Sequence, residues 1–494
     1  MRRKICLMIF SFSALFVIAH LQQPALAQAT YPSTFLWGAA MSAHQVEGLT
    51  GGGENADWFP FEHTPGRIYG NANADVATDH WRRYPGDFQL ASGIGLNTIR
   101  TSLAWEKVEP SEGTFDHDVI QHYRDVLTSM HQQGLRPMIT LLHGTTPLWF
   151  QNNGGFLARD SPQLFAAYVA FAVRNLSDLC DLWVTINEPM ALLGGGYLEG
   201  TIPPQIASPE SAITAAWNMI RAHRLATATI HALQPVIARG TADTGLRGVG
   251  LVNSWDLYEP YNPLDPLDDL VTSIYIELSN WTFAKGAVYG TFEIDKVLGQ
   301  LLGKDFARPS GALDDAGEIA SPVLDWIGVN YYTLWAVQYK LGSLPNLMVP
   351  RALAGKLTDI GRAVYPPGTE RILRDAAAQF PGFPLVMTEN GVSDAADRLR
   401  PQFIVDTLHY LDRARFGHDG LPAIDVRGYY HWSLTDDFEW EWGYFSRYGL
   451  NQILYDQNLQ RVPRASATVY CQQILERLST PGAGRNCQTI SASQ

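Results

Sequence analysis

The chain has 494 residues, 46% of them hydrophobic and 17% charged, with a formal net charge of −13. That composition is that of an ordinary globular protein able to bury a large core. No basic run is present that could follow a phosphate backbone, which argues against a nucleic-acid partner.

In chain order, the first feature is a targeting segment. Arg2, Arg3 and Lys4 form a positive start, Ile5 to Ala19 an apolar run, and Ala25-Leu26-Ala27 a small-residue cleavage site. The apolar run is short for a membrane-spanning helix. Residues 1–27 are therefore expected to be a signal peptide, leaving a secreted or periplasmic protein with no membrane attachment after cleavage. Gly51-Gly52-Gly53 follows no strand–helix pattern and reads as a flexible loop rather than a phosphate cradle.

Eight strand-like apolar runs follow one another: Phe35–Ala40, Thr98–Ser102, Pro137–Leu142, Leu182–Ile186, Val249–Asn253, Trp326–Asn330, Leu385–Thr388 and Tyr429–Trp432. Amphipathic stretches such as Val119–Gln133 and Gln163–Asn175 lie between them. Strands alternating with helices predict a parallel sheet, and eight such units predict a closed (β/α)₈ barrel. The barrel domain is expected over 31–478, with a C-terminal tail over 479–494.

Cys6 leaves with the signal peptide. An exported chain permits a disulfide, and Cys471 with Cys487 would close a short C-terminal loop. Cys180, next to a predicted buried strand, reads as a packed thiol. The three cysteines are not spaced for a metal site, and no C-x-x-C, H-E-x-x-H or Walker-type loop occurs. Asn175-Leu-Ser and Asn280-Trp-Thr match the N-glycosylation pattern.

Barrel enzymes place their chemistry where the strands end, because the βα loops converge there. Two strand candidates end in carboxylates: Asn187-Glu188 after strand four and Glu389 after strand seven. A carboxylate following a buried apolar run is costly unless paired or hydrogen-bonded. Either one alone reads as a helix cap or a loop ion pair. Two on one barrel face match the paired carboxylates that glycoside hydrolysis requires, one to protonate the leaving oxygen and one to attack or to activate water.

Thr185-Ile-Asn-Glu-Pro and Thr388-Glu-Asn-Gly resemble the two signatures of family 1 of the glycoside hydrolases, the β-glucosidase family. Phe35-Leu-Trp-Gly-Ala-Ala with Gln45-Val-Glu-Gly, Arg100-Thr-Ser-Leu-Ala-Trp, Gly328-Val-Asn-Tyr-Tyr-Thr, His431-Trp-Ser-Leu and Asp437-Phe-Glu-Trp extend the resemblance along the chain in order. The resemblance implies a retaining double displacement with Glu389 as nucleophile and Glu188 as acid/base. It implies that Arg100 and Tyr332 hold Glu389, that Asn187 binds the sugar 2-OH, and that Asn330 steadies the site. It assigns Gln45, His143, Glu439 and Trp440 to the glycone hydroxyls and Trp432 to the floor under the ring. No metal or organic cofactor is required.

Two positions depart from the family pattern. Gly144 follows His143 where Trp is usual, which predicts a missing indole donor and open space beside the sugar. It therefore predicts tolerance of β-galactosides and β-fucosides beside β-glucosides. Asp437 stands where Asn is usual. The phosphosugar branch usually lacks the Glu439-Trp440 pair, so a neutral glycone is expected. Two alternatives keep most of this pattern. A non-catalytic sugar-binding relative would typically lack one glutamate, and this chain keeps both. A transglycosidase would carry the same residues and differ only in its products.

Overall fold

The computed structural model describes residues 30–235, 245–310, 324–340, 348–350, 356–478 and Cys487. The expected signal peptide, and the C-terminal tail apart from Cys487, lie outside the described residues.

Eight parallel strands close into a barrel: β1 (Leu36–Ala40), β2 (Thr98–Ser102), β3 (Arg136–Leu142), β4 (Leu182–Asn187), β5 (Gly248–Ser254), β6 (Trp326–Asn330), β7 (Leu385–Asn390) and β8 (Val426–Trp432). Each pairs with its sequence neighbours, and β8 closes on β1 from Leu36 opposite Gly428 to Ala40 opposite Trp432. Parallel strands are covered on both faces, so they read as continuous apolar runs rather than alternating ones. All eight predicted runs fall on these strands. The interior is filled by side chains such as Met138, Val184, Val252, Trp326, Val386 and Tyr430. An outer helical layer packs on the other face, as in a filled barrel core.

That outer layer contains both predicted amphipathic stretches, as α1 (His117–Gln132) and α2 (Ser161–Leu176). Asp116 starts α1 by accepting hydrogen bonds from the backbone N–H groups of Asp118 and Val119, satisfying two of the donors a helix start leaves free. Several strands reach further than their apolar runs predict, and two of these extensions carry site residues. β4 extends through Asn187 and β7 through Asn390, so Asn187 and Glu389 are strand residues, not residues of the following loops.

The loops after β5 and β6 add a small sheet at the barrel mouth, in which Leu257–Pro260 pairs in parallel with Leu334–Val337. At the base, the Tyr31 N–H donates to the Arg477 carbonyl, joining the two ends of the barrel unit. Cys471 and Cys487 form a disulfide. Cys180 is a buried free thiol whose pKa burial pushes up to about 12. Asn280 is buried and donates to the Asp256 carbonyl, so its glycosylation pattern is inaccessible in the folded chain. Among the described residues no helix is long and apolar enough to cross a membrane.

Candidate active site

A cavity of about 410 Å³ opens at the C-terminal ends of the strands, within the usual size range of small-molecule sites. His143, Asn187, Glu188, Tyr332, Glu389, Trp432, Glu439 and Trp440 all line it. Gln45, Arg100 and Asn330 stand behind that wall and act on the lining side chains.

Glu389, near the end of β7, is held at both oxygens. Arg100 Nη1 on β2 donates to Oε1 at 2.5 Å, and the Tyr332 hydroxyl donates to Oε2 at 2.7 Å. Both oxygens of this buried carboxylate are thus engaged by donors, one of them charged. The same arginine reaches further, with Nη2 donating to Asn187 Oδ1 at 2.7 Å and Nε to Thr140 Oγ1 at 3.1 Å. Burial and the surrounding carboxylates push the Tyr332 hydroxyl well above its ordinary value, keeping it a donor.

Glu188 faces the same cavity from the first residue after β4. Its backbone sits in the left-handed region at φ 45°, an uncommon conformation for a residue with a side chain. That turn carries the carboxyl into the cavity instead of along the helix it precedes. Asn330 Nδ2 donates to Glu188 Oε1 at 2.7 Å. Burial, then the charge of Glu389, push the Glu188 carboxyl from 4.5 to about 8, against the opposing effect of Asn330. One acid of the pair thus stays protonated at neutral pH while the other is clamped between donors.

The polar groups around this pair fix one another. Asn187 Oδ1 accepts from Arg100 and, at 3.2 Å, from Asn330. Its Nδ2 therefore donates, and the partner is His143 Nε2 at 3.2 Å. His143 must accept there and carry its proton on Nδ1. Burial and Arg100 hold its pKa well below the ordinary value, in keeping with a neutral ring. One Asn187 N–H remains free towards the cavity. Thr388 Oγ1 donates to Asn330 Oδ1 at 2.7 Å and so sets which way that amide points.

At the far wall, Gln45 Nε2 donates to the Phe438 carbonyl at 3.0 Å and to Glu439 Oε2 at 3.4 Å. Trp432 Nε1 also donates to Glu439 Oε2, at 3.4 Å. Burial pushes Glu439 to about 7. Asp437 is buried behind it, and burial followed by the charge of Glu439 pushes its carboxyl well above the carboxylate range.

The space expected beside Gly144 is filled. A Cβ on Gly144 would lie 2.5 Å from Trp440 Cη2, so the indole rests directly on the glycine. Trp440 also packs against Trp58 with ring centres 4.7 Å apart and lies nearly parallel to His44. The Trp440 indole, from the β8 loop, covers the glycine. Gly144 itself has φ +83°, a conformation suited to glycine.

Sequence reasoning did not single out Trp58, Glu199, Asp256, Arg362, Glu441 or Tyr448, which also line the cavity. Asp256 stands two residues past β5, accepting from the Tyr332 and Thr333 N–H groups and from Trp335 Nε1. Only its place at a strand end could have marked it. Away from the cavity, Glu62, His63 and Asp75 bring three metal-ligating atoms together. Glu62 is engaged by His44 and the Ala74 N–H, and His63 pairs with Asp75, so protein contacts account for the group.

An eight-stranded barrel whose cavity carries one clamped and one protonated glutamate at the ends of β4 and β7 belongs to the class of glycoside hydrolases. The profile of Glycosyl hydrolase family 1 matches residues 27–478. The chain belongs to that family and is an O-glycosyl hydrolase. It is 28% identical over 444 residues to a 1,4-β-D-glucan glucohydrolase of Thermotoga neapolitana, covering 87% of this chain and 99% of the relative. Among solved structures, it is 30% identical to a β-glycosidase from Pyrococcus horikoshii, with a TM-score of 0.76 over 91% of this chain and 95% of the other. It is 25% identical to the family 1 β-glucosidase of Thermotoga maritima, with a TM-score of 0.80 over 91% and 98%.

Proposed function

We propose that the protein is an exported retaining β-glucosidase. The observation that carries this reading is the asymmetry of the glutamate pair. Glu188 retains its proton to about pH 8, while Glu389 is held by Arg100 and Tyr332. Glu389 attacks the anomeric carbon. Glu188 donates its proton to the departing oxygen, leaving a glycosyl-enzyme on Glu389. Glu188, now a carboxylate, takes a proton from water as the water attacks the anomeric carbon and frees Glu389. Loss of the Glu389 charge in the intermediate removes one of the causes that raise Glu188, which favours its switch from acid to base.

Asn187 offers its free N–H to the 2-OH, where contacts strengthen in the transition state. His143, Glu439 and Trp440 serve the other hydroxyls, Gln45 orients Glu439 from behind the wall, and Trp432 underlies the ring. The names of the family relatives support a β-glucoside substrate. The missing donor at Gly144 keeps β-galactosides and β-fucosides within the proposal, although Trp440 closes the space that would have relaxed the wall. The N-terminal segment and the Cys471–Cys487 disulfide, which persists in oxidising compartments, support export.

The test uses Glu188→Ala with aryl β-glucosides of graded leaving-group acidity. Substrates that need no proton should still form the intermediate, trapped on Glu389 and seen as a mass increase of one glycosyl unit. Glu389→Gln should fold and lose nearly all hydrolysis. No trapped species, with equal losses for good and poor leaving groups, would sink the assignment.

A further inference from the structure

Asp437 is buried behind the cavity wall, and the proposed reaction gives it no task. It is 1% exposed, and among the described residues no donor reaches either of its carboxyl oxygens. An ionised carboxylate in that setting would be costly, so the group is held neutral and keeps its proton. Two side chains stand beside it, the Ser433 hydroxyl and the Glu439 carboxyl. Ser433 Oγ already donates to the Thr435 carbonyl at 2.7 Å, so its proton is engaged elsewhere. Glu439 lines the cavity and accepts from Gln45 Nε2 and Trp432 Nε1, both at 3.4 Å and both on Oε2. Once Glu439 is ionised, the proton of the pair rests on Asp437 and the charge on Glu439. An O–H facing a carboxylate makes a shorter, stronger bond than one facing a neutral oxygen, so Glu439 rather than Ser433 draws it.

The charged and titratable groups around the pair leave this arrangement intact. Asp436 precedes Asp437, and its carboxylate is engaged by Arg464 at 2.7 and 2.9 Å and by Arg447 at 3.2 Å. Tyr444, Tyr448 and Tyr455 also face Asp437, and burial raises the pKa of each, so they stay neutral. Arg362 faces Glu439 and favours its ionised form, whereas the charge of Glu389 opposes it.

We propose that Asp437 is a positioning residue that holds one proton against Glu439 and keeps that glutamate an ionised acceptor for the glycone, coupling substrate binding to release of a proton from the pair. This rests on the reading of Glu439 as a glycone partner in the proposed function. Asparagine, usual at this position in the family, offers only a neutral N–H. It favours the Glu439 carboxylate less, because an O–H donor makes the shorter bond to a charged oxygen. Ionised Glu439 has lone pairs free for sugar hydroxyls; protonated, it turns one oxygen into a donor. Burial pushes Glu439 to about 7, so near neutral pH the free enzyme is divided between the two forms. A bound sugar selects the ionised one.

The experiment is calorimetry of 4-nitrophenyl 1-thio-β-D-glucoside, an uncharged ligand whose sulfur link resists cleavage, with the wild type, Asp437→Asn and Glu439→Gln. Titrations in two buffers of different ionisation enthalpy, from about pH 5.5 to about pH 9, count the protons released on binding. The wild type should release close to one proton near pH 6 and almost none by about pH 8, following the value of about 7 for Glu439. In Asp437→Asn the release should persist about one pH unit higher, so affinity near pH 6 should be about tenfold weaker than in the wild type and the two should converge by about pH 9. Glu439→Gln should bind more weakly and release no proton near pH 6. No release by the wild type, or release that survives in Glu439→Gln, overturns the proposal. So do identical profiles in the wild type and Asp437→Asn, which would place the Asp437 proton on Ser433. Carbon NMR of the wild type labelled at its aspartate carboxyls reads the proton without a substitution: a carboxyl still protonated near pH 8.5 is expected, and its absence overturns the proposal. The thioglucoside is not turned over. Proton-linked binding in a protein that hydrolyses nothing would therefore fail the hydrolase reading alone, and hydrolysis without that linkage overturns the Asp437–Glu439 pair alone.

Discussion

Replacing Asn330 by leucine should move the basic limb of the kcat/KM profile upward by about one pH unit. Asn330 Nδ2 donates to Glu188 Oε1 at 2.7 Å, which favours the carboxylate and holds the Glu188 pKa down. Without that donor only the charge of Arg100 opposes burial and the Glu389 charge, and the proton is held more tightly. A hydrogen bond to a charged group is worth about 1.5–3 kcal/mol, and one pKa unit corresponds to about 1.36 kcal/mol, so the limit is one to two units. The lower figure applies because Glu188 still faces the cavity and can gain a water partner. Leucine keeps the branched shape of Asn330 without its polar atoms and limits water entry at the vacated site. The general acid works only when protonated, so wild-type kcat/KM should fall as pH rises through about 8, and that of Asn330→Leu through about 9. The assay is kcat/KM against pH with an aryl glucoside whose leaving group needs protonation; it reports the free enzyme. A limb that stays at about 8, or moves down, would refute Asn330 as the group opposing the rise of Glu188.

Gly144→Ala should raise KM several-fold and lower the melting temperature, because its Cβ would meet Trp440 at 2.5 Å and φ is +83°; unchanged KM and Tm would show that the indole does not rest there. Cys471→Ser should shorten the half-life of thermal inactivation, since a bridge across a sequence separation of 16 contributes about 3 kcal/mol in the chain-entropy account; an unchanged half-life would show that the bridge does not constrain unfolding. The exported protein should begin at or near Gln28, as read by N-terminal sequencing; an intact Met1 on it would identify the segment as an anchor.

The fold was legible because a filled parallel barrel writes itself as eight apolar runs, and each run proved to be a strand. The strand ends were less legible. Asn187 and Glu389 are polar, so a hydropathy boundary stops before them, yet backbone pairing carries the strands through both. Family motifs led to the side chains on the β-strand ends and on the β8 loop. They were silent on Asp256 and Arg362, which come from the loops after β5 and β6. Those loops lack a recognisable spacing, and a lone aspartate or arginine there has no signature until the fold aims it at the cavity.

Gly144 shows why a position-by-position reading misses a wall. From sequence, a glycine in place of a tryptophan subtracts an aromatic ring, and the natural consequence is a vacancy. Interiors are close-packed, and a void the size of an indole forfeits the contacts of every atom around it. A neighbour able to turn into that space lowers the free energy by doing so. Beside Gly144 the space is held by Trp440. Its backbone takes φ 50°, and its ring lies on Gly144 with Trp58 beside it. The two aromatic positions are therefore coupled. A side chain restored at Gly144 displaces the Trp440 indole, and with it the residue next to Glu439. Substitutions at Gly144 and Trp440 should be non-additive, as expected for residues in direct contact. In a double-mutant cycle, Gly144→Ala should cost far less glycone affinity once Trp440 is alanine than in the wild type, because the clash is gone; equal costs in both backgrounds would show that the two positions act independently.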